Sequence, residues 1–386
     1  MTEAVIVSAV RTPIAKKGGA LATVDPSIYG GRVIEEAIQR SGIEGTNVDD
    51  VIFGNCLSGG GNMARLSLLQ AGLPHSVPGV TIDRQCGSGI NSVALAAEAI
   101  IAGRATITVA GGTESMSRSP YLLAPQERTY DRVPPKFVKR QLAPDHIGDP
   151  PMGITAENLV EKYKISREEQ DEFALESQQK MASAMEQGLF DEQIVPITIK
   201  GRKGEVTFSK DEHPRPDVTH EGLEKLAPVF KKGGSVTAGN SSGVNDGASA
   251  LVLMSKAEAQ ARNLEPLAIV KDWTVAGVDP NIMGIGPVPA IQKLLKRTDL
   301  SLDDIDLIEV NEAFASQVLA CDRELSFDRQ KLNVNGGAIA HGHPIAATGG
   351  MLVTKLAYEM KRRDVKRGLV SACIGGGQGI ALLLER

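Results

Sequence analysis

A chain of 386 residues, 42% of them hydrophobic, is long enough for two core-bearing units and a smaller third. With 42 Lys and Arg against 47 Asp and Glu, the formal net charge of -5 excludes a broad nucleic-acid surface, though not a local basic patch for a phosphorylated ligand. No apolar run reaches membrane-spanning length, and the opening Met-Thr-Glu-Ala-Val-Ile-Val lacks the charged start and apolar block of a signal peptide. Cys56, Cys86, Cys321 and Cys373 are widely spaced with no C-x-x-C, which argues against a disulfide framework and against structural zinc. The expectation is a soluble protein of the reducing cytoplasm with no bound metal.

Glu3 to Val10 alternates and is rich in β-branched residues, so it reads as a strand, ended by Arg11-Thr12-Pro13. Tyr29 to Ser41 reads as an amphipathic helix, with Val33, Ile34, Ala37 and Ile38 on one face and Gly42 just past its end. Val51 to Gly54 is the next strand and delivers Asn55 and Cys56 to a glycine-rich loop; Met63 to Ala71 is a further helix. Val80 to Ile82 reads as a short strand, Cys86-Gly87-Ser88-Gly89 as a tight turn, and Val93 to Ala102 as a helix apolar on every side. Ala105 to Ala110 is a near-continuous apolar strand that stops at Gly111-Gly112. Strands and helices alternating in this way imply an α/β layer structure.

From Ser115 the pattern breaks into prolines, aromatics and scattered basic residues, then into two helices between Ile154 and Gly188, the second opened by the capping box Ser166 and Glu169. A polar, loop-rich stretch from Pro196 to Pro228 follows, and core pattern returns with the strand Ala250 to Met254. We read three units: a first half of residues 1–114 with 240–262, an insertion at 115–239, and a second half at 263–386. The second half repeats the first. The strand Asp304 to Val310 delivers Asn311 as Val51 to Gly54 delivers Asn55. The turn at His341-Gly342-His343 enters a helix from Ala346 to Met360, in the slot of the Cys86 turn, and Gly368 to Gly379 matches the segment after Thr106. Packing two such halves around shared helices would bring Cys86, Asn311, His343 and Cys373 together.

A cysteine at a helix start meets unpaired N–H groups and the positive end of the helix dipole, both of which favour a thiolate. Cys86 therefore reads either as an activated nucleophile or as a small inert core cysteine, and its convergence with a His and a second Cys favours the first. With the helix start and His343 beside it, Cys86 should then be activated. Glycines around both cysteines leave backbone N–H groups unobstructed, as an oxyanion hole requires. His341 and His343 lack a carboxylate or cysteine at ligand spacing, and Gly375 to Gly379 lacks the Lys-Ser/Thr of a phosphate-binding P-loop. Cys56 and Cys321 read as core residues, Asn311-Glu312 alone would read as a helix cap, and Arg128, Arg132, Lys136, Lys139 and Arg140 read as a solvated loop face.

Four segments, Asp83-Arg-Gln-Cys-Gly-Ser-Gly89, Asn311-Glu-Ala-Phe-Ala315, Gly336-Gly-Ala-Ile-Ala-His-Gly-His-Pro344 and Cys373-Ile-Gly-Gly-Gly-Gln-Gly379, resemble in sequence and order the signature blocks of the thiolase family. The resemblance covers the whole chain. It implies a five-layer αβαβα fold with two duplicated halves, an inserted loop domain covering coenzyme A, and a homodimer or homotetramer. It further implies acyl transfer between a 3-ketoacyl-CoA and coenzyme A, or the reverse condensation of two acetyl-CoA, with coenzyme A as substrate and product and no tightly bound cofactor. By motif, Cys86 would carry the acyl group. His343 would take its proton and, with a water on Asn311, stabilise the enolate oxygen. Cys373 would move the α-carbon proton, and the N–H groups of Cys86 and Gly375 would form a second oxyanion hole. Met152, Arg215, Phe230, Ala238, Ser242 and Phe314 match the family's coenzyme A contacts. Ala346 and Thr348 stand where many members have Gly and Ser, and Pro151 where acetoacetyl-specific biosynthetic members often have His. Two rivals are a related condensing synthase, which usually has a second His or a Glu in place of Cys373, and a non-catalytic acyl-CoA or lipid carrier on the same fold.

Overall fold

A computed structural model describes residues 2–126, 128, 130, 132–201 and 204–386. The first half runs β1 (Ala4–Arg11), β2 (Ala15–Lys16), α1 (Pro26–Ser41), β3 (Asp50–Gly54), α2 (Met63–Gln70), β4 (Gly79–Ile82), α3 (Ser88–Ile101) and β5 (Ile107–Ser115). An excursion follows. It carries a hairpin of β6 (Leu122–Leu123) and β7 (Phe137–Val138), helices α4 (Met152–Tyr163) and α5 (Arg167–Glu186), a second hairpin of β8 (Ile197–Gly201) and β9 (Gly204–Phe208), and the short α6 (His220–Glu224). The chain returns through β10 (Asn245–Ser255) and α7 (Lys256–Ala261). The second half then runs β11 (Ala268–Gly277), α8 (Pro287–Thr298), β12 (Leu307–Val310), α9 (Ala315–Leu325), α10 (Ala338–His341), α11 (Ile345–Arg363), β13 (Arg367–Ile374) and β14 (Gln378–Glu385).

Local chemistry sets the helix ends. Asp25 caps α1 by accepting from the Ser27 N–H, Pro26 occupies its first turn, and Gly42 closes it in the left-handed conformation. The expected capping box of Ser166 and Glu169 opens α5.

The duplication is written in the sheet order. The first half pairs as β1-β10-β5-β3-β4, with β3 parallel to β4 and β5 and with β10 antiparallel to both its neighbours. The second pairs as β11-β14-β13-β12, and a parallel bridge from Ile308 to Leu332 occupies the place of β4. The two half-sheets meet edge to edge where β1 and β11 pair antiparallel, Ala4 opposite Val270, Val5 opposite Ile269 and Ile6 opposite Ala268.

Alternation along the strands divides the apolar side chains into layers. Val5, Val51, Phe53, Val109, Ala250 and Val252 point outward against Val33, Ile34 and Leu68 of α1 and α2. Ile6, Ala110, Leu251 and Leu253 point inward, and so do Val370, Ala372, Ile380 and Leu382; between them lie Val93, Ala97 and Ile100 of α3 and Leu352, Leu356 and Met360 of α11. Ile308, Val310, Ala381 and Leu383 face Ile291, Leu294 and Val318 of α8 and α9 on the far side. The result is the five-layer αβαβα arrangement, with α3 and α11 as the shared central layer. Each large aliphatic side chain buried there contributes roughly 1.5–3 kcal/mol of transfer free energy. The central helices approach closely because a Cβ on Gly89 would lie 2.5 Å from the backbone nitrogen of Gly350.

Four segments differ from the sequence reading. β5 continues through Gly111-Gly112 to Ser115, because its backbone stays paired with β10 throughout. The stretch 196–228 holds the β8–β9 hairpin and α6 rather than loop alone. β11 and β14 also form strands that the sequence pattern did not mark. Among the described residues no helix is long and apolar enough to cross a membrane.

Candidate active site

Strand β4 leads into a tight turn that carries Cys86 just ahead of α3. Gln85 adopts φ 45, a left-handed conformation that costs a non-glycine residue on the order of 1–3 kcal/mol. Local hydrogen bonds hold it there. One oxygen of Asp83, Oδ1, accepts from the Gln85 N–H (2.9 Å), the Gln85 side-chain amide (2.8 Å) and the Cys56 thiol (3.1 Å). The Ser88 hydroxyl accepts from the Arg84 N–H (2.9 Å) and donates to the Gln85 carbonyl (2.7 Å).

Cys86 itself is partly accessible, and the Gly375 N–H donates to its sulfur. Burial nevertheless pushes the thiol up to about 11, against the lowering by the N–H groups of Gly375 and Cys86, and the charges of Glu114 and Asp83 push the same way. The expected resting thiolate is therefore not found. Removing the sulfur from water outweighs the helix start, and Cys86 keeps its proton at neutral pH.

The second half contributes a buried histidine. His343 follows α10 and Gly342, whose φ of 98 suits only glycine. The imidazole is buried, which lowers its pKa to about 4, so at neutral pH it is uncharged. Its Nδ1 lies 2.7 Å from Oγ1 of Thr348, and that hydroxyl donates to the Pro344 carbonyl at 3.1 Å. With its own proton so committed, Thr348 accepts from Nδ1–H, and Nε2 carries the lone pair. The Asn311 amide nitrogen, 3.4 Å from Nε2, is a donor, in agreement with that tautomer. Asn311 Oδ1 is buried with no hydrogen-bond partner among the described residues.

Cys373 is the last residue but one of β13, fully buried among Ala156, Val236, Met283, Ala313 and Phe314, with Met152 packed against them. Burial pushes its thiol well above the ordinary value, and Cys86 contributes in the same direction, so the two sulfurs are electrostatic neighbours. Gly375 lies one turn beyond, close to Met152, Leu142 and Gln85.

Phe230 and Ser242 border this apolar patch. The half-exposed Phe230 packs edge to face on Phe314, with ring centroids 6.0 Å apart. The Ser242 N–H donates to the Ala313 carbonyl at 3.0 Å, next to the bridge from Ser241 to Phe314. Ala238 and Arg215 line a cleft of about 220 Å³ together with His213, Gly222 and Leu226. Arg215 belongs to this cleft and not to the group around Cys373. Among the described residues no three His, Cys, Asp or Glu side chains gather as a metal-binding set.

Sequence reasoning missed Glu114. This buried carboxylate accepts from the N–H groups of Cys56 (3.1 Å), Leu57 (3.0 Å), Ser58 (3.1 Å) and Ala346 (3.3 Å) and from the Ser58 hydroxyl (2.7 Å). It ties the first-half loop to the first turn of the helix behind His343. A lone carboxylate ending an apolar strand was the available signal. Asn245 and His213, which hold the His343 segment from the other side, carried no such signal, because each sits in a polar stretch.

The chain as a whole is similar to known proteins. Residues 4–257 match the family model described as thiolase, N-terminal domain, and residues 264–386 match that of the thiolase C-terminal domain. The chain is 50% identical to the acetyl-CoA acetyltransferase of Escherichia coli (strain K12) and 48% identical to that of Cupriavidus necator, in each case over 100% of both chains. It superposes on the crystal structure of the Bacillus anthracis acetyl-CoA acetyltransferase with a TM-score of 0.95 at 50% identity, covering 100% of this chain and 99% of that one. Matched in both halves and along its whole length, this chain belongs to the thiolase family of acyltransferases.

Proposed function

We propose that the protein moves an acyl group between a 3-ketoacyl-CoA and coenzyme A through an acyl-Cys86 intermediate, in ping-pong fashion. Acetoacetyl-CoA is the favoured substrate, since relatives about half identical are named for acetyl-CoA acetyl transfer. In the degradative direction Nε2 of neutral His343 takes the Cys86 proton, and the sulfur attacks the keto carbon. The C–C bond then breaks, and its electron pair passes into the enolate of the leaving acetyl-CoA. Nε2–H and a water on Asn311 hold the enolate oxygen, and Cys373 protonates the α-carbon. Coenzyme A next gives its thiol proton to the Cys373 thiolate and attacks the thioester carbon on Cys86, the oxyanion facing the N–H groups of Cys86 and Gly375. The bond from that carbon to the Cys86 sulfur then breaks, His343 returns its proton to that sulfur, and the acyl group leaves as acyl-CoA. The reverse sequence is the Claisen condensation of two acetyl-CoA.

The observation that carries this reading is the state of His343: buried, neutral, and held by Thr348 and Asn311 so that Nε2 carries a lone pair and no proton. Coenzyme A would lie along Met152, Phe230, Phe314, Ser242 and Ala238 with Arg215 at its outer end, under an inserted unit of residues 115–239. Residues 1–114 with 240–262, and residues 263–386, form the two halves. We also assign the protein to the cytoplasm, as a homodimer or homotetramer needing no resident cofactor. The one-sided edge strand β4 and the exposed Tyr121–Phe137 pair support self-association. Light scattering would measure the assembly. The decisive experiment is Cys86→Ala: normal cleavage of acetoacetyl-CoA by that variant would refute the assignment.

A further inference from the structure

His213 belongs to none of the family's signature segments, yet it touches the segment that carries His343 at two points. The Asn245 amide is the intermediary, and its orientation is fixed by partners that each have one possible role. The His343 N–H can only donate, and it reaches Asn245 Oδ1 at 2.9 Å; the Ala15 carbonyl can only accept, and it lies 3.0 Å from Nδ2. Nδ2 therefore also donates to Nδ1 of His213, 3.4 Å away. That leaves the His213 proton on Nε2, and the ring makes its other hydrogen bond to the backbone of Ile339, where only a carbonyl can receive it. Ile339 lies in α10, just ahead of His343.

Space around the link is tight. A Cβ on Gly342 would stand 2.6 Å from the Asn245 amide, and one on Gly243 would stand 2.1 Å from the His213 ring. The segment bearing His213 is itself anchored. Asp211 forms a buried two-pronged pair with Arg11 (2.8 and 2.9 Å) and accepts from the Ile14 N–H, while Glu212 accepts from the N–H groups of Lys16 and Ala20. His213 also lines the cleft that holds Arg215 and Ala238.

We propose that His213 is a positioning residue: through Asn245 on one side and Ile339 on the other it fixes the His343 turn, and so joins the wall of the coenzyme A cleft to the catalytic base. The inference rests on His343 acting as that base.

The test compares His213→Leu, which fills the space but makes neither hydrogen bond, with His213→Gln, whose amide can accept from Asn245 and donate to Ile339. In steady-state thiolysis of acetoacetyl-CoA, His213→Leu lowers kcat on the order of tenfold or more while the KM for coenzyme A stays within about twofold, and His213→Gln recovers most of kcat. Unchanged kcat with a raised KM in His213→Leu makes the residue merely cleft wall and overturns the proposal, as does equal loss of kcat in both variants. If His213→Leu does not fold, His213→Phe, which likewise makes neither hydrogen bond, takes its place and is read by the same outcomes. His343→Ala, assayed alongside, separates the two ideas. Retained turnover there removes the base itself, whereas lost turnover there with a fully active His213→Leu removes only the link.

Discussion

Thr348 Oγ1 lies 2.7 Å from Nδ1 of His343, and its own proton points to the Pro344 carbonyl. A hydroxyl one turn into α11 thus selects the tautomer that leaves Nε2 without a proton. Thr348→Val keeps the shape and removes the acceptor. A hydrogen bond of this kind contributes about 0.5–1.5 kcal/mol, so kcat is expected to fall roughly two- to tenfold with little change in KM, and Thr348→Ser to stay near wild type. Equal kcat in the valine variant would mean that the tautomer is set elsewhere.

Burial lowers the pKa of His213 and His343 to about 4 and that of His341 well below the ordinary value. Unfolded, each takes a proton near pH 6.5, so between pH 6.5 and 4 the unfolded chain binds more protons than the folded one. The stability these groups contribute is complete above pH 6.5 and is lost as the pH falls toward 4. His213→Gln removes one of them. Urea unfolding across this window should show a slope smaller than wild type by about one proton, or about 1.4 kcal/mol per pH unit. Parallel curves would show that His213 titrates normally.

The pair between Arg11 and Asp211 is almost wholly buried, and it fastens the excursion to the end of β1. Arg11→Met strands the Asp211 carboxylate without its partner and should cost on the order of 3–5 kcal/mol in chemical denaturation. Faster proteolysis near residue 211 under native conditions should accompany it. A midpoint unchanged from wild type would place the anchoring elsewhere.

Cys373→Ser separates the two thiol roles. Incubated with acetyl-CoA, this variant should accumulate an acetyl group on Cys86, seen by intact mass and peptide mapping, while forming no acetoacetyl-CoA. Normal condensation would take carbon proton transfer away from Cys373.

What could be read from the sequence were features carried by local pattern. The strand at Val51–Gly54, the helix at Tyr29–Ser41, the capping box at Ser166 and the internal repeat all depend on neighbours within a turn or a strand, and all appear in the structure. Strand β11 escaped because Lys271, Asp272 and Trp273 interrupt its apolar alternation; only pairing with β1 and β14 reveals it. The ionisation of Cys86 was misread for a related reason. A helix start is visible in the chain, whereas the desolvation that overrides it comes from segments hundreds of residues away. The link from His213 through Asn245 to His343 spans two such separations and has no local signature.

The shared central layer also constrains how the molecule is made. Val93, Ala97 and Ile100 of α3 are covered by Leu352, Leu356 and Met360 of α11, residues synthesised some 250 positions later. Until that helix emerges from the ribosome, the first half presents a bare apolar face on an otherwise finished sheet. Its folding must wait for nearly the whole chain, and the growing polypeptide is a natural client for chaperones that shield apolar surface.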